Sequence, residues 1–347
     1  TKVYNDLLLA ADSGQMSALC LLDLTAAFDT VDHDLLLLRL ERQFGLRGNV
    51  LKWFESYLSG RTFRVIYNNS TSSTVIIICS VPQGSVLGPL LFILYMADLV
   101  LVVDEYGVIL HAYADDTQLY LHCQRDDTAS TAVHLEHCIT DVGHWMSANR
   151  LKLNMDKTEW LWAGTRYNVS QLGDHLPALQ LGSCTVQASD HVRLLGATIS
   201  SDLSVDRHVS VVSSTCFYWL RQLRRIRRSL DSESAATLVH AFVSSRVDYC
   251  NALLAGAPKS ATDKLQRVMN AAARVVSGTG KYDRGLSQLL HDELHWLDIP
   301  DRVAYKLGIM IRDCNPGTIF QSRDFGIEKR QSRDWEIPGL PVPDVGR

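Results

Sequence analysis

Two adjacent carboxylates interrupt an apolar run in GVILHAYADDTQLYLHC (107–123), and this feature restricts the fold of the chain more than any other. Its flanks read as strands, rich in aliphatic and aromatic residues, so Asp115 and Asp116 fall at the turn of a hairpin. A surface hairpin needs only water around such a pair, because Asp favours turns. The other reading is a divalent-cation site, since hard cations select oxygen ligands and take one or two carboxylates together with substrate phosphates. Choosing between them requires a third carboxylate and a nucleotide pocket elsewhere in the chain.

LLDLTAAFDTVDH (21–33) offers that carboxylate. Asp23 interrupts a run that reads as a buried strand, and an unpaired buried carboxylate is costly unless a metal or a cation compensates it. Asp29 and Asp32 follow at an exit turn or helix start, where carboxylates suit the helix N-terminus. If the strands bearing Asp23 and Asp115–Asp116 pair side by side, the three groups can surround two metals. Metals about 3.5–4 Å apart activate an attacking oxygen and stabilise a leaving one in an in-line phosphoryl displacement.

The remaining composition sets bounds. At 347 residues, 46% hydrophobic and 21% charged, the chain can bury one large core or two to three smaller ones. Its eight cysteines form no C-x-x-C pair, which argues against a zinc ribbon or dense disulfide framework and for a reducing compartment. TKVYNDLLLAADSG lacks a charged region followed by a long apolar core, so no signal peptide is expected. The expected location is intracellular, nucleus or cytoplasm, and not secreted. VLGPLLFILYMADLVLVV (86–103) approaches membrane-spanning length, but Pro89, Asp98 and the lack of basic flanks predict a buried helix rather than a span.

The net charge of −4 hides two unlike regions. Residues 207–312 carry 16 Lys and Arg against 9 Asp and Glu, while the rest of the chain carries 18 against 29. One part can therefore attract a polyanion while another concentrates carboxylates. Five arginines, Arg221, Arg224, Arg225, Arg227 and Arg228, crowd RQLRRIRRSL (221–230), either as a solvated helix face or as phosphate contacts.

Periodicity divides the chain further. A strand in 17–31 gives way to a helix over 33–45, then to two β-rich runs around Asn68-Asn69-Ser70. The segment 127–149 has helical spacing, with Val133, Cys138, Val142 and Trp145 as inward candidates. KTEWLWAG and HVRLLGATIS read as β, and from about 207 the pattern is helical, which sets a domain boundary near 205. In ATDKLQRVMNAAARVVSGTG (261–280), Leu265, Val268, Met269, Ala272 and Val276 form one stripe. Lys264, Arg267 and Arg274 lie beside it, and Gly278 is the expected stop. The tail 316–347, with near repeats QSRDFGIEKR and QSRDWEIPGL, is expected to be disordered.

LLDLTAAFDTVDH, VPQGSVLGPLLFILYMADL, AYADDTQLY and LKLNMDKTE, in this order, resemble palm motifs A, B, C and D of a reverse transcriptase. The wording within them is similar to LINE-type, non-LTR retrotransposons, and the resemblance runs from about residue 4 to about 312. It implies an α+β right-hand polymerase: a palm of antiparallel sheet with packed helices and a remnant of fingers over 1–205, then a basic α-helical thumb or connection over 206–315. The resemblance starts just before motif A, so the fingers are expected to be largely missing and the fragment inactive or weakly active.

By the same resemblance, Asp23, Asp115 and Asp116 are the metal ligands for two Mg²⁺, with Mn²⁺ as a substitute. Phe28 sits under the sugar of the incoming dNTP, where a ring collides with a 2′-hydroxyl. Gln83, Gly84 and Tyr113 are matched to nucleotide binding, and Lys157 to the general acid for the leaving pyrophosphate. The thumb cations Arg221, Arg224, Arg225, Arg227, Arg228, Lys264, Arg267 and Arg274 would grip an RNA template and DNA primer. No membrane is implied, and no protein partner can be inferred. Two alternatives remain: a non-catalytic nucleic-acid-binding remnant of a retroelement, and an RNA-dependent RNA polymerase. The latter usually carries Gly-Asp-Asp where this chain has Ala114-Asp115-Asp116, and Phe28 argues against it.

Overall fold

The structure, a computed structural model, describes residues 1–173, 176–280 and 282–314. The tail expected to be disordered lies outside the described residues. Helix α1 (Lys2–Asp12) leads into β1 (Met16–Leu22), a 3-10 turn (Ala27–Asp29), α2 (His33–Arg42) and α3 (Asn49–Leu58). Four short strands follow, β2 (Thr62–Phe63), β3 (Ile66–Tyr67), β4 (Ser70–Thr71) and β5 (Val75–Ile76), as nested hairpins in which β2 pairs β5 and β3 pairs β4. Asn68 and Asn69, at φ 46° and 62°, make the tip, because Asn tolerates the left-handed conformation that a two-residue turn demands.

After α4 (Leu87–Met96) and α5 (Leu99–Asp104) comes the hairpin of β6 (Ile109–Tyr113) and β7 (Asp116–Cys123), then α6 (Thr128–Ala148), β8 (Glu159–Ala163) and α7 (Arg166–Leu172). Two further hairpins pair β9 (Leu179–Leu181) with β10 (Cys184–Val186) and β11 (His191–Leu194) with β12 (Ala197–Ser200). From Asp206 on, the described residues are helical: α8 (Asp206–Ile226), α9 (Ser232–Val239), α10 (Ser245–Asp248), α11 (Lys259–Ser277), α12 (Leu286–Gln288) and α13 (Ile299–Cys314).

One four-stranded antiparallel sheet, in the order β6-β7-β1-β8, organises the first part of the chain. Side chains alternate between its faces. Ala18, Cys20, Leu22, Leu119, Trp160 and Trp162 bury against the helical side, together with Phe92 and Tyr95 of α4 and Leu135 and Ile139 of α6. Leu19, Tyr120, Leu161 and Ala163 bury on the other side, against Val3 and Leu7 of α1 and the β11–β12 hairpin. Coverage of both faces explains why β1 reads as a continuous apolar run rather than an alternating one. The two buried indoles are satisfied as well, since Trp160 and Trp162 both donate to Pro177 O at 3.0 Å.

A separate apolar core lies wholly within Val205–Leu307 and is built from Val209, Cys216 and Leu220 of α8 and the inner stripe of α11. Leu265, Val268, Met269, Ala272 and Val276 are all buried, and Gly278 ends α11 in the left-handed conformation, φ 75°.

Two expectations need correction. The run 86–103 is not one buried helix but two, separated at Ala97–Asp98, where Asp98 is held from the end of α2 by Gln43 and lies 3.8 Å from Arg39. Its outer face is open, with Val86 87% and Leu101 63% exposed. On α6, Val133 points outward, because the buried stripe runs Ala132, Leu135, Cys138, Ile139, Val142 and Met146, the 3.6-residue repeat from which 133 is offset.

Candidate active site

Register brings the acidic residues together. Leu22, the last residue of β1, lies opposite Thr117, so Asp23 leaves β1 beside the point where Asp116 enters β7. Tyr113 pairs with Asp116, leaving Ala114 and Asp115 as a two-residue turn with φ 55° at Ala114 only, the sign pattern of a II′ hairpin. The three carboxylates feel one another. Burial raises the Asp116 carboxyl above the usual range, and the charges of Asp115 and Asp23 raise it further.

Asp23 stands between two clefts. The first, of about 470 Å³, is lined by Asp23, Phe28, Gln83, Gly84, Asp115 and Lys157 among others. The second, of about 390 Å³, is lined by Asp23, Asp116, Gln118, Lys157, Arg193 and Leu195 among others. Asp23 Oδ2 is buried and has no hydrogen-bond partner, yet Lys157 Nζ lies 3.4 Å from it. That contact is therefore an ion pair by distance, without hydrogen-bond geometry. Asn154 N donates to Asp23 O at 2.9 Å and fixes the turn that carries Lys157 beside the strand end.

The loop after β5 is stitched to the turn after β1. Ser80 N donates to Val31 O at 2.8 Å and Val81 N to Phe28 O at 2.9 Å, while Gln83 Nε2 donates to Asp29 Oδ1 at 3.0 Å. Phe28 is half-buried, its ring centroid 4.9 Å from that of Phe92. Two glycines shape this loop. Gly84 has φ 75°, and a Cβ on Gly88 would stand 2.8 Å from Pro82 O, closer than any side chain tolerates.

Tyr113 does not join this constellation. It is 67% exposed, lines neither cleft, and adds, after burial and Cys250, to the raised phenol of Tyr249. Tyr249 is itself a bridge from the helical region, donating to Leu195 O at 2.5 Å with its ring against Gly196.

The basic cluster divides by role. Arg224, Arg227, Arg228 and Arg274 line an 830 Å³ cavity where α8 and α11 end, and Arg221, Arg225, Lys264 and Arg267 are exposed. Arg227 departs from its expected place at a phosphate. Its guanidinium donates to Val275 O at 2.6 Å and Val276 O at 2.8 Å, carbonyls that the end of α11 leaves open, and to Leu230 O at 2.7 Å in its own turn.

Sequence reasoning gave Asp29 only a helix-start role and passed over Gln118 and Arg193. Asp29 adjoins Phe28 and could have been noticed there, whereas nothing in HVRLLGATIS marks Arg193 as a cleft residue, since a polar residue on a half-buried strand is ordinary. Among the described residues no helix is long and apolar enough to cross a membrane.

Residues 5–199 match the family described as reverse transcriptase (RNA-dependent DNA polymerase). The probable RNA-directed DNA polymerase from transposon BS of Drosophila melanogaster is 27% identical over 312 residues, covering 87% of this chain and 33% of that protein. The RNA-directed DNA polymerase from mobile element jockey of the same organism is 28% identical over 214 residues, covering 60% of this chain and 22% of that protein. The chain thus spans a third or less of the length of these two relatives. A likeness to telomerase from Candida tropicalis in complex with a fragment of telomeric RNA covers 83% of this chain and 51% of that chain, at 10% identity and a TM-score of 0.43, and carries no weight at that level. The match over 5–199 takes in Asp23, Gln83, Asp115, Asp116 and Lys157 and extends over more than half of the sequence, and on that ground the chain belongs to the reverse transcriptase family.

Proposed function

We propose that this chain carries the polymerising centre of a non-LTR retrotransposon RNA-directed DNA polymerase, joining a dNTP to a primer 3′-hydroxyl on an RNA template. The observation that carries this reading is the place of Asp23 between two clefts, one bearing Phe28, Gln83 and Asp115, the other Asp116 and Arg193. The first suits a nucleoside triphosphate and the second a primer end, so their shared wall is where a 3′-oxygen and an α-phosphorus would meet.

The donor set fits hard divalent cations: it is all carboxylate, it is strained by mutual repulsion, and Asp23 Oδ2 is an orphaned buried acceptor. Among the described residues no three His, Cys, Asp or Glu side chains close into a ligating set, so joint ligation requires the carboxylates to move together. Reverse transcriptases use divalent metals. Two Mg²⁺, with Mn²⁺ as substitute, held by Asp23, Asp115 and Asp116, would lower the pKa of the attacking hydroxyl and neutralise charge on the phosphates.

The protein's own groups do the positioning. Phe28, backed by Phe92, limits the space under the sugar and disfavours a 2′-hydroxyl. Gln83, its amide steadied by Asp29, sits where base and sugar pass. The Lys157 ammonium stands close enough to Asp23 to give a proton to the leaving pyrophosphate. Arg193 faces the primer side, and Arg224, Arg228 and Arg274 offer charge to duplex phosphates. Retention of all three carboxylates at the ends of the paired strands β1 and β7 and in the β6–β7 turn favours this reading over a non-catalytic binding remnant.

Single-nucleotide addition on primed RNA and DNA templates, with Mg²⁺ or Mn²⁺, tests the reading. Template-dependent incorporation that Asp23→Asn and Asp116→Asn abolish is expected. Salt-sensitive binding to primer–template with no incorporation under either metal would favour the non-catalytic remnant.

A further inference from the structure

Gln118 is only 2% exposed and lies two residues beyond Asp116, on the same face of β7. Both ends of its amide are taken. Nε2 donates to Asp116 O at 3.0 Å, and Oε1 meets His111 Nδ1 at 2.8 Å across the β6–β7 pair. Because the amide nitrogen is committed to Asp116, its oxygen must face His111, and His111 Nδ1 therefore carries the proton. Gln118 also borders the Asp116 cleft, and these two bonds fix the orientation of its amide there.

The turn it holds needs support. Ala114 occupies a left-handed conformation, φ 55°, where glycine is usual because a Cβ is strained there. Asp115 and Asp116 also repel each other and Asp23, which favours any relaxation that separates them. Beyond the ladder hydrogen bonds, the tie from Gln118 to the Asp116 carbonyl is a restraint on where β7 begins.

We propose that Gln118, oriented by His111, is a positioning residue that holds Asp115 and Asp116, at the β6–β7 turn, in their cation-binding geometry. The proposal rests on the metal-site reading above and extends it to two residues outside the carboxylate set. Outer partners that orient a ligand typically change metal affinity 10- to 100-fold when lost, roughly the scale expected here.

The test is Mn²⁺ binding to the full chain, followed by electron paramagnetic resonance of the free ion, in parallel with amide hydrogen exchange over 113–117 and thermal melts. Gln118→Leu and His111→Leu should weaken Mn²⁺ binding about 10-fold or more and speed exchange in the turn while the melts remain cooperative. His111→Asn, whose Nδ2 can donate from nearly the same place, should retain both properties. Wild-type exchange in the turn of folded Gln118→Leu, or equal behaviour of His111→Asn and His111→Leu, would overturn the proposal. Absence of Mn²⁺ binding by the wild-type chain would overturn the metal-site reading instead, and exchange in the turn would still decide whether Gln118 holds it.

Discussion

Lys157 Nζ stands 3.4 Å from Asp23 Oδ2, placing an ammonium beside the carboxylate oxygen that has no hydrogen-bond partner. Lys157 is largely exposed, so the pair is screened and contributes little to stability. Its consequence is competition: the ammonium and a divalent cation seek the same oxygen. Lys157→Gln should bind Mn²⁺ several-fold more tightly than wild type while adding nucleotides more slowly. Unchanged Mn²⁺ affinity in a titration would mean that Lys157 swings clear of Asp23 in solution.

Asp116 predicts a pH signature. A carboxyl raised above its unfolded value holds its proton more tightly when folded, so stability falls as pH rises from the ordinary carboxylate range through the raised value. Asp116→Asn removes that penalty. Calorimetry without added metal should find its Tm above wild type at pH 7, with the advantage shrinking toward pH 4. A difference that does not vary with pH would count against repulsion as its source.

Phe28 is braced on Phe92 with ring centroids 4.9 Å apart, so trimming it has two separable effects. Phe28→Val should cost about 1–2 kcal/mol of stability and raise the rNTP/dNTP incorporation ratio. Phe92→Leu, deeper in the core, should cost stability with a smaller change in that ratio. If both variants alter the ratio equally, Phe28 acts only as core packing.

The arginine cluster offers a contrast between neighbours. Arg228→Gln and Arg274→Gln should each lower the log–log salt slope of primer–template binding by about 0.7–0.9 and leave Tm unchanged. Arg227→Gln should leave the slope nearly intact and lower stability by about 1–3 kcal/mol, because the Val275 and Val276 carbonyls lose their donors. The reverse pattern, in salt titrations and melts of the same samples, would exchange their roles.

Gly88 is sterically locked. Gly88→Ala places a Cβ 2.8 Å from Pro82 O, and relief must come from the backbone that carries Gln83. A rise in KM for dNTP with primer–template affinity unchanged is expected. Normal KM would show that the loop gives way elsewhere.

Local features could be read from the residues alone. Alternating and continuous apolar runs marked β1, β7 and β8, the hairpin followed from its strand-like flanks although its turn is Ala114–Asp115 with Asp116 opening β7, and the 3.6-residue stripe of α11 ended at Gly278. These features are legible because period and turn chemistry depend on residues a few positions apart. Features that depend on distant partners emerged only when the chain was folded. The register of Leu22 on Thr117 brings Asp23 to Asp116 from a remote part of the chain, and Arg227 finds its carbonyls on a helix 48 residues away. Val133, Tyr113 and the break at Asp98 likewise follow from what each face meets on folding, since a pattern of side chains reports which face is apolar and not which element will cover it.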